Sequence, residues 1–181
     1  MVEALRDIVV PETRPATEWV LGGPVQKVSP KRRHAILQVA LSTALMAWAR
    51  GRGQVGSEWR FGITPPGERT RPLVPDIAYL SFERMRGLTP AELDTPKLSP
   101  DIVIEICSPD DRAAHLEHKR DVYLAAGVRL LLVVDPETRT LEAFEPGAAQ
   151  RVLTAGEIYE TPSFPGLRID LAAVFAELDL P

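Results

Sequence analysis

Four stretches of the chain carry a hydrophobic pattern regular enough to name an element. Ile36, Leu37, Ala40, Leu41, Ala44, Leu45 and Trp48 recur at helical spacing. They predict a helix with Ser29 as cap and Pro30 at its first position, running to Arg50 and stopped by Gly51 and Gly53. Ile102, Val103, Ile104 and Ile106 read as a strand apolar enough to be buried on both faces, and Arg129 to Asp135 (RLLLVVD) as another. Between them Leu116, Val122 and Tyr123 share one stripe of a helix closed by Gly127.

Weaker patterns fill the rest. Glu18 to Val28 reads as a short strand, a Gly-Gly-Pro turn and a second strand. Gln54 to Ile63 and Leu73 to Leu80 read as strands, the second with Asp76 set inside it directly after Pro75. Ser81 to Leu98 is an irregular connection with one helical turn after Thr89-Pro90. Thr140 to Glu145 alternates like a hairpin partner, Gln150 to Leu153 and Leu167 to Ile169 read as edge strands, and Asp170 caps a last helix, Leu171 to Leu178. Residues 1–15 are expected to lie along the surface or to fray.

No repeat or long linker divides the chain, so one domain over 1–181 is expected, with its core at about 29–145. The core order is helix, three strands, helix, strand. The first strands are close enough to pair antiparallel, whereas the helix after Glu105 must be a crossover between parallel strands. The expected class is α/β with a mixed sheet, extended by C-terminal strands and a helix.

Composition narrows the chemistry. A net charge of −4 gives no general pull towards nucleic acid, so a polyanion would need a local basic patch. The single cysteine, Cys107, excludes an internal disulfide and a Cys-rich zinc site. No run approaches the ~20 apolar residues of a membrane span, and no signal-peptide order opens the chain, so a cytoplasmic protein is expected. Asparagine is absent, prolines are many and arginine far outnumbers lysine, a bias expected of a thermophile. Only Lys27, Lys31, Lys97 and Lys119 are lysines, so one on a buried face suggests work that arginine cannot do.

Two charges stand where the pattern wants carbon. Glu105 lies mid-strand, and Lys119 lies on the apolar stripe of the next helix. An isolated buried charge costs several kcal/mol, so each needs a partner or a purpose. Asp101, Val103, Glu105 and Cys107 share one strand face. If the neighbouring strand brings Asp76 close, two carboxylates converge, and oxygen ligands of that kind favour Mg²⁺ or Mn²⁺. The plainer reading has Asp76 capping a turn, Glu105 paired with an arginine, and Lys119 snorkelling to water. Two anions, a cation and a metal are the equipment for phosphodiester hydrolysis.

Pro75-Asp76, then Glu105, then a lysine, on this order of elements, resembles the PD-(D/E)XK nuclease superfamily. More narrowly, the run PDIVIEICSPDDRAAHLEHKRDVYLAAGVRLLLVVDPETRTLEAF resembles the Uma-type family of putative restriction endonucleases. The likeness extends from about Glu18 to Phe175, through Ser29-Pro30…His34, Val74-Pro75-Asp76 and Pro165-Gly166-Leu167…Asp170-Leu171. It implies a metal-dependent DNA endonuclease in which Asp76, Glu105 and the Ile106 carbonyl hold Mg²⁺ or Mn²⁺, and Lys119 assists the attacking water. Two departures stand out. Cys107 occupies the superfamily's lysine position, with Lys119 matching a lysine moved to the helix. Gly23 stands where the family often has a second glutamate, leaving Glu18 as an auxiliary acid.

His34 is a candidate for phosphate contact or a plain surface histidine, and Cys107 an auxiliary or a small core residue. Ser108 reads as a cap or turn, Asp110 and Asp111 as helix-start acids, and His115 and His118 as solvated. Lys31, Arg32 and Arg33, Arg69 and Arg71, with Arg50, Arg52, Arg84 and Arg86, are candidates for a DNA-facing rim. The hairpin after Asp135 offers an edge through which a homodimer could pair. Two alternatives stay open: a nuclease fold that binds DNA or protein without catalysis, and a metal-free acid/base enzyme using Asp76 and Glu105 on a small substrate.

Overall fold

Three interruptions separate the observed elements from the expected ones, and each has a backbone cause. The computed structural model describes residues 6–108 and 113–180. The chain opens with the expected hairpin, β1 (Thr17–Val20) paired antiparallel with β2 (Gly23–Gln26). Residues 27–30 belong to no element, and Lys31 is still extended at φ −82 and ψ 167, so α1 runs Arg32–Ala49. Ser29 and Pro30 therefore precede the helix instead of capping it. The Lys27 ammonium is tied to the Val74 carbonyl at 3.0 Å, anchoring this segment to a distant part of the chain before the helix begins.

The expected strand 54–63 divides at Glu58, whose φ of 51 turns the chain out of the sheet. Its first part is β3 (Gly53–Ser57); its second, β4 (Phe61–Ile63), pairs antiparallel with β5 (Arg71–Leu73). The expected strand 73–80 divides at Pro75, which has no N–H for a ladder. β5 ends before it and β6 (Ile77–Ser81) begins after Asp76, so Asp76 stands immediately ahead of a strand, not inside one.

Two short helices follow, α2 (Phe82–Met85) and α3 (Pro90–Asp94), the latter opened by a Thr89–Glu92 capping box. Then come β7 (Ile102–Ile106), α4 (Ala113–Ala125), β8 (Leu130–Asp135) and β9 (Thr140–Phe144). Gly127, at φ 89, closes α4 as predicted. β10 (Arg151–Thr154), β11 (Ile158–Glu160), which no pattern announced, and β12 (Arg168–Asp170) complete the strands. Asp170 caps α5 (Leu171–Ala176) by accepting the Ala173 N–H at 3.2 Å, and a 3-10 turn over Glu177–Asp179 follows. Asp110 and Asp111 lie outside the described residues.

Six strands form one mixed sheet in the order β10-β9-β8-β7-β6-β3. β7 and β8 are parallel across the α4 crossover, and the other pairs are antiparallel. β10 covers β9, so the hairpin after Asp135 leaves no open edge; the sheet's edges are β10 and β3. Alternation along β7 sends Ile102, Ile104 and Ile106 into a core with Leu37, Leu41 and Leu45 of α1. Val103 faces the opposite core, with Val122 and Tyr123 of α4. Among the described residues no helix is long and apolar enough to cross a membrane.

Candidate active site

Strand register brings the two carboxylates together. Ala78 pairs with Val103 and Ile77 with Ile104, and one further step sets Asp76 opposite Glu105 at the carboxyl end of β7. A hydrogen bond locks that step: the Ile106 N–H donates to Oδ2 of Asp76 at 2.7 Å. Because N–H and C=O of one strand residue face the same edge, the Ile106 carbonyl turns towards the Asp76 side as well. Asp76 thus grips the facing strand's backbone and caps no local turn.

Lys119 reaches the same place from α4. Its Nζ lies 2.7 Å from Oε1 of Glu105 and 3.0 Å from Oε1 of Glu18, and the side chain is only 8% exposed, so it does not snorkel. Glu18 comes from β1 and also accepts the Val74 N–H at 2.6 Å, which ties the N-terminal hairpin to the segment between β5 and Asp76. Tyr123, one helical turn after Lys119, donates its hydroxyl to Oε1 of Glu105 at 3.1 Å. Glu105 is therefore paired with lysine and tyrosine rather than arginine.

Asp76 has a second cation. The Lys27 Nζ lies 2.6 Å from its Oδ1, and also 3.0 Å from Oε1 of Glu58 and 3.0 Å from the Val74 carbonyl. His34, in the first turn of α1, is a buried residue whose Nε2 stands 3.2 Å from Oδ2 of Asp76, so it is neither a surface histidine nor turned outward. Gln38, one turn later, donates to the Asp76 main-chain carbonyl at 2.8 Å. Glu18, Lys27, His34, Asp76, Glu105 and Lys119, with Ser108 and His115, line a cavity of about 410 Å³.

The charges respond to this packing. Burial opposes the Asp76 charge, yet Lys27 and the hydrogen bond from His34 prevail and hold the carboxyl well below the usual range. Burial pushes Glu105 up to about 7, with Lys119 opposing and Asp76 adding to the rise. Burial also opposes the Lys119 and Lys27 charges, but the facing carboxylates outweigh it and raise both above the ordinary lysine value. Both ammonium groups remain protonated.

Among the described residues no group of three or more His, Cys, Asp or Glu side chains is placed to hold a metal unaided. Asp76, Glu105 and the Ile106 carbonyl nonetheless make an all-oxygen donor set suited to a hard divalent cation. Glu18, Asp76 and Glu105 bring three buried acids together, met by Lys27, Lys119 and the buried His34.

The other candidates are dispersed. Cys107 gives its N–H to the Val134 carbonyl and packs, partly buried, against the core on the α4 side. His115 and His118 are half-buried instead of solvated, the Nε2 of His118 being buried. Of the expected rim, Arg71 is buried and paired with Glu68, which removes it from any phosphate-facing surface. Arg32 donates to the Leu178 and Leu180 carbonyls and Arg33 pairs with Glu137 at 2.7 Å, while both stay exposed. Arg69 is exposed and donates to the Arg6 carbonyl at 2.7 Å. Lys27, Glu58, Gln38 and Tyr123 escaped the sequence reading as site residues. Lys27 had one signal, its rarity among arginines.

A crystal structure described as a putative nuclease belonging to DUF820, from Anabaena variabilis ATCC 29413, is similar to this chain. The two superpose with a TM-score of 0.82 at 25% identity, over 93% of this chain and 94% of that one. No curated protein matches the chain. Residues 2–172 match Uma2, the family described as "Putative restriction endonuclease". With that match running through the hairpin, the sheet and both helices that meet at Asp76 and Glu105, the chain belongs to the Uma2 family.

Proposed function

We propose that the protein is a divalent-metal-dependent endonuclease that hydrolyses DNA phosphodiester bonds, with Asp76, Glu105 and the Ile106 carbonyl as ligands of Mg²⁺ or Mn²⁺. The observation that carries this reading is the meeting of Asp76 from the segment ahead of β6, Glu105 from β7 and Lys119 from α4 in one buried cluster. Membership of a family of nuclease description agrees with it. When bound, such an ion supplies charge that polarises the scissile phosphate and makes a nearby water more acidic.

The chain's own groups do the rest. Lys119, held protonated by Glu105 and Glu18, is a donor and not a base: it orients the attacking water and neutralises charge developing on the phosphate. Tyr123 and Lys119 fix one oxygen of Glu105, leaving the carboxylate little freedom to rotate. The Ile106 N–H fixes Oδ2 of Asp76 in the same way. Lys31, Arg32, Arg33 and Arg69 are exposed and supply positive charge that an acidic protein otherwise lacks for DNA.

A nuclease fold used only for binding is the second reading, favoured by how fully Asp76 is engaged by Lys27, His34 and the Ile106 N–H. Plasmid cleavage separates the two. Nicking or linearisation with Mg²⁺ or Mn²⁺, stopped by EDTA and lost in Glu105→Gln, supports the enzyme; intact plasmid under all these conditions supports the binding module.

A further inference from the structure

The cluster contains a cation that the proposed chemistry does not use. Lys27 enters from the segment between β2 and α1, outside every periodic element, and is seated among three oxygens: Oδ1 of Asp76 at 2.6 Å, Oε1 of Glu58 at 3.0 Å and the Val74 carbonyl at 3.0 Å. Two carboxylates and a main-chain carbonyl form a cation seat by their chemistry. Its occupant is an ammonium group, with a side chain only 14% exposed. The remaining Asp76 oxygen is already shared by the Ile106 N–H and His34. Oδ1 is thus the Asp76 oxygen whose partner can leave most readily, because Lys27 is a flexible side chain on a connecting segment, whereas Ile106 donates from the backbone of a central strand.

We infer that Lys27 is a built-in competitor for the metal: its ammonium occupies Asp76 in the resting protein and is displaced when a divalent cation binds there. This rests on the metal reading above and adds a gate to it. Metal entry would break the Lys27–Asp76 contact, and Glu58, 45% exposed at the mouth of the seat, would keep the released ammonium nearby. A lysine that merely braced Asp76 would do the opposite, since its loss would leave the metal ligand loose and weaken binding.

Two measurements on the full chain test the inference. The first is Mn²⁺ affinity and stoichiometry, read by electron paramagnetic resonance of the free ion. Lys27→Met is expected to bind about tenfold more tightly at unchanged stoichiometry, the factor given by ~1.4 kcal/mol of relieved competition. Lys27→Arg, which keeps the charge, is expected to stay close to wild type. Unchanged or weaker binding by Lys27→Met overturns the inference. The second uses the wild-type protein, so it does not depend on a variant folding. Reductive methylation is mapped by mass spectrometry, with exposed Lys97 as internal reference. Mg²⁺ is expected to speed methylation of Lys27, and an unchanged or slower rate overturns displacement. Metal binding that is lost in Glu105→Gln but indifferent to Lys27 removes this inference alone. Absence of any metal binding removes the metal reading with it.

Discussion

The Lys119 ammonium lies 2.7 Å from Oε1 of Glu105, and both side chains are almost wholly buried. The pair joins α4 to the strand that precedes it, across the connection that links the parallel strands β7 and β8. Breaking a buried pair by deleting one partner strands the other charge, which typically costs ~3–5 kcal/mol. Here the two partners are not equivalent. Lys119 has Glu18 in reserve at 3.0 Å, whereas among the described residues Glu105 has no second lysine within ion-pair distance.

Glu105→Gln should therefore fold. The amide keeps the shape, Lys119 remains neutralised by Glu18, and the stability loss should stay within ~1–3 kcal/mol, the usual cost of a disturbed buried polar contact. Cleavage should fall by at least ~10²-fold, as when one preorganised charge is removed from a transition state. Thermal melts beside a plasmid assay check both halves; a Gln variant that cuts at the wild-type rate would remove Glu105 from the mechanism.

Lys119→Met should be the more damaging change, by ~3–5 kcal/mol once both acids are ionised above neutral pH, because Glu18 and Glu105 are left facing each other in the core. Protonation relieves that repulsion. The variant should recover stability as pH falls from 8 to 5, seen as a shrinking gap between its denaturation midpoint and that of wild type. A gap independent of pH would mean that the ammonium matters for packing alone.

The two acids bend the wild-type pH profile in opposite directions. Glu105 has its folded pKa raised from 4.5 to about 7, so the folded state holds the extra proton in that interval. Its contribution to stability is full below 4.5 and is lost as pH rises towards 7. Asp76 has its folded pKa lowered from 3.8, so its contribution is present above 3.8 and is lost as the solution becomes more acidic. Metal binding needs Glu105 ionised, so Mn²⁺ affinity should climb about tenfold per pH unit below 7 and flatten above it. Titrations at pH 6, 7 and 8 check this; equal affinities at all three would contradict the role of Glu105 as a ligand.

Gly53 tests the frame. A Cβ there would clash with the Leu80 carbonyl and stand 2.6 Å from the Tyr79 ring, so β3 could not lie against β6. Gly53→Ala should cost at least ~1–3 kcal/mol, as expected of overpacking. A denaturant midpoint equal to that of wild type would argue against the observed β3–β6 register.

Glu105 and Lys119 were legible in the sequence because each breaks a strong apolar pattern, and such patterns survive into β7 and α4 with little change. Asp76 was legible through Pro75, but the same proline misled about its setting: a residue that cannot donate to a ladder ends a strand, and Asp76 gains its reach by lying beyond β6. The split of residues 54–63 at Glu58 was not legible, since a lone glutamate at positive φ leaves no mark on periodicity. Lys27 was hidden for the same reason, because a connecting segment has no face to violate. Arg71 reads like any exposed arginine until the pairing of β4 with β5 buries it beside Glu68. Pairwise charge contacts between distant segments are decided by topology, which local pattern does not encode.

The most direct measurement is a crystal structure grown or soaked with Mn²⁺ and read by anomalous scattering. A peak about 2.1–2.2 Å from a carboxylate oxygen of Asp76, one of Glu105 and the Ile106 carbonyl is the expected result, at the distance usual for a small hard divalent ion. A protein saturated with Mn²⁺ in solution whose anomalous peak lies away from Asp76 and Glu105, or one with no peak at millimolar Mn²⁺, would contradict a metal-dependent nuclease built on these residues.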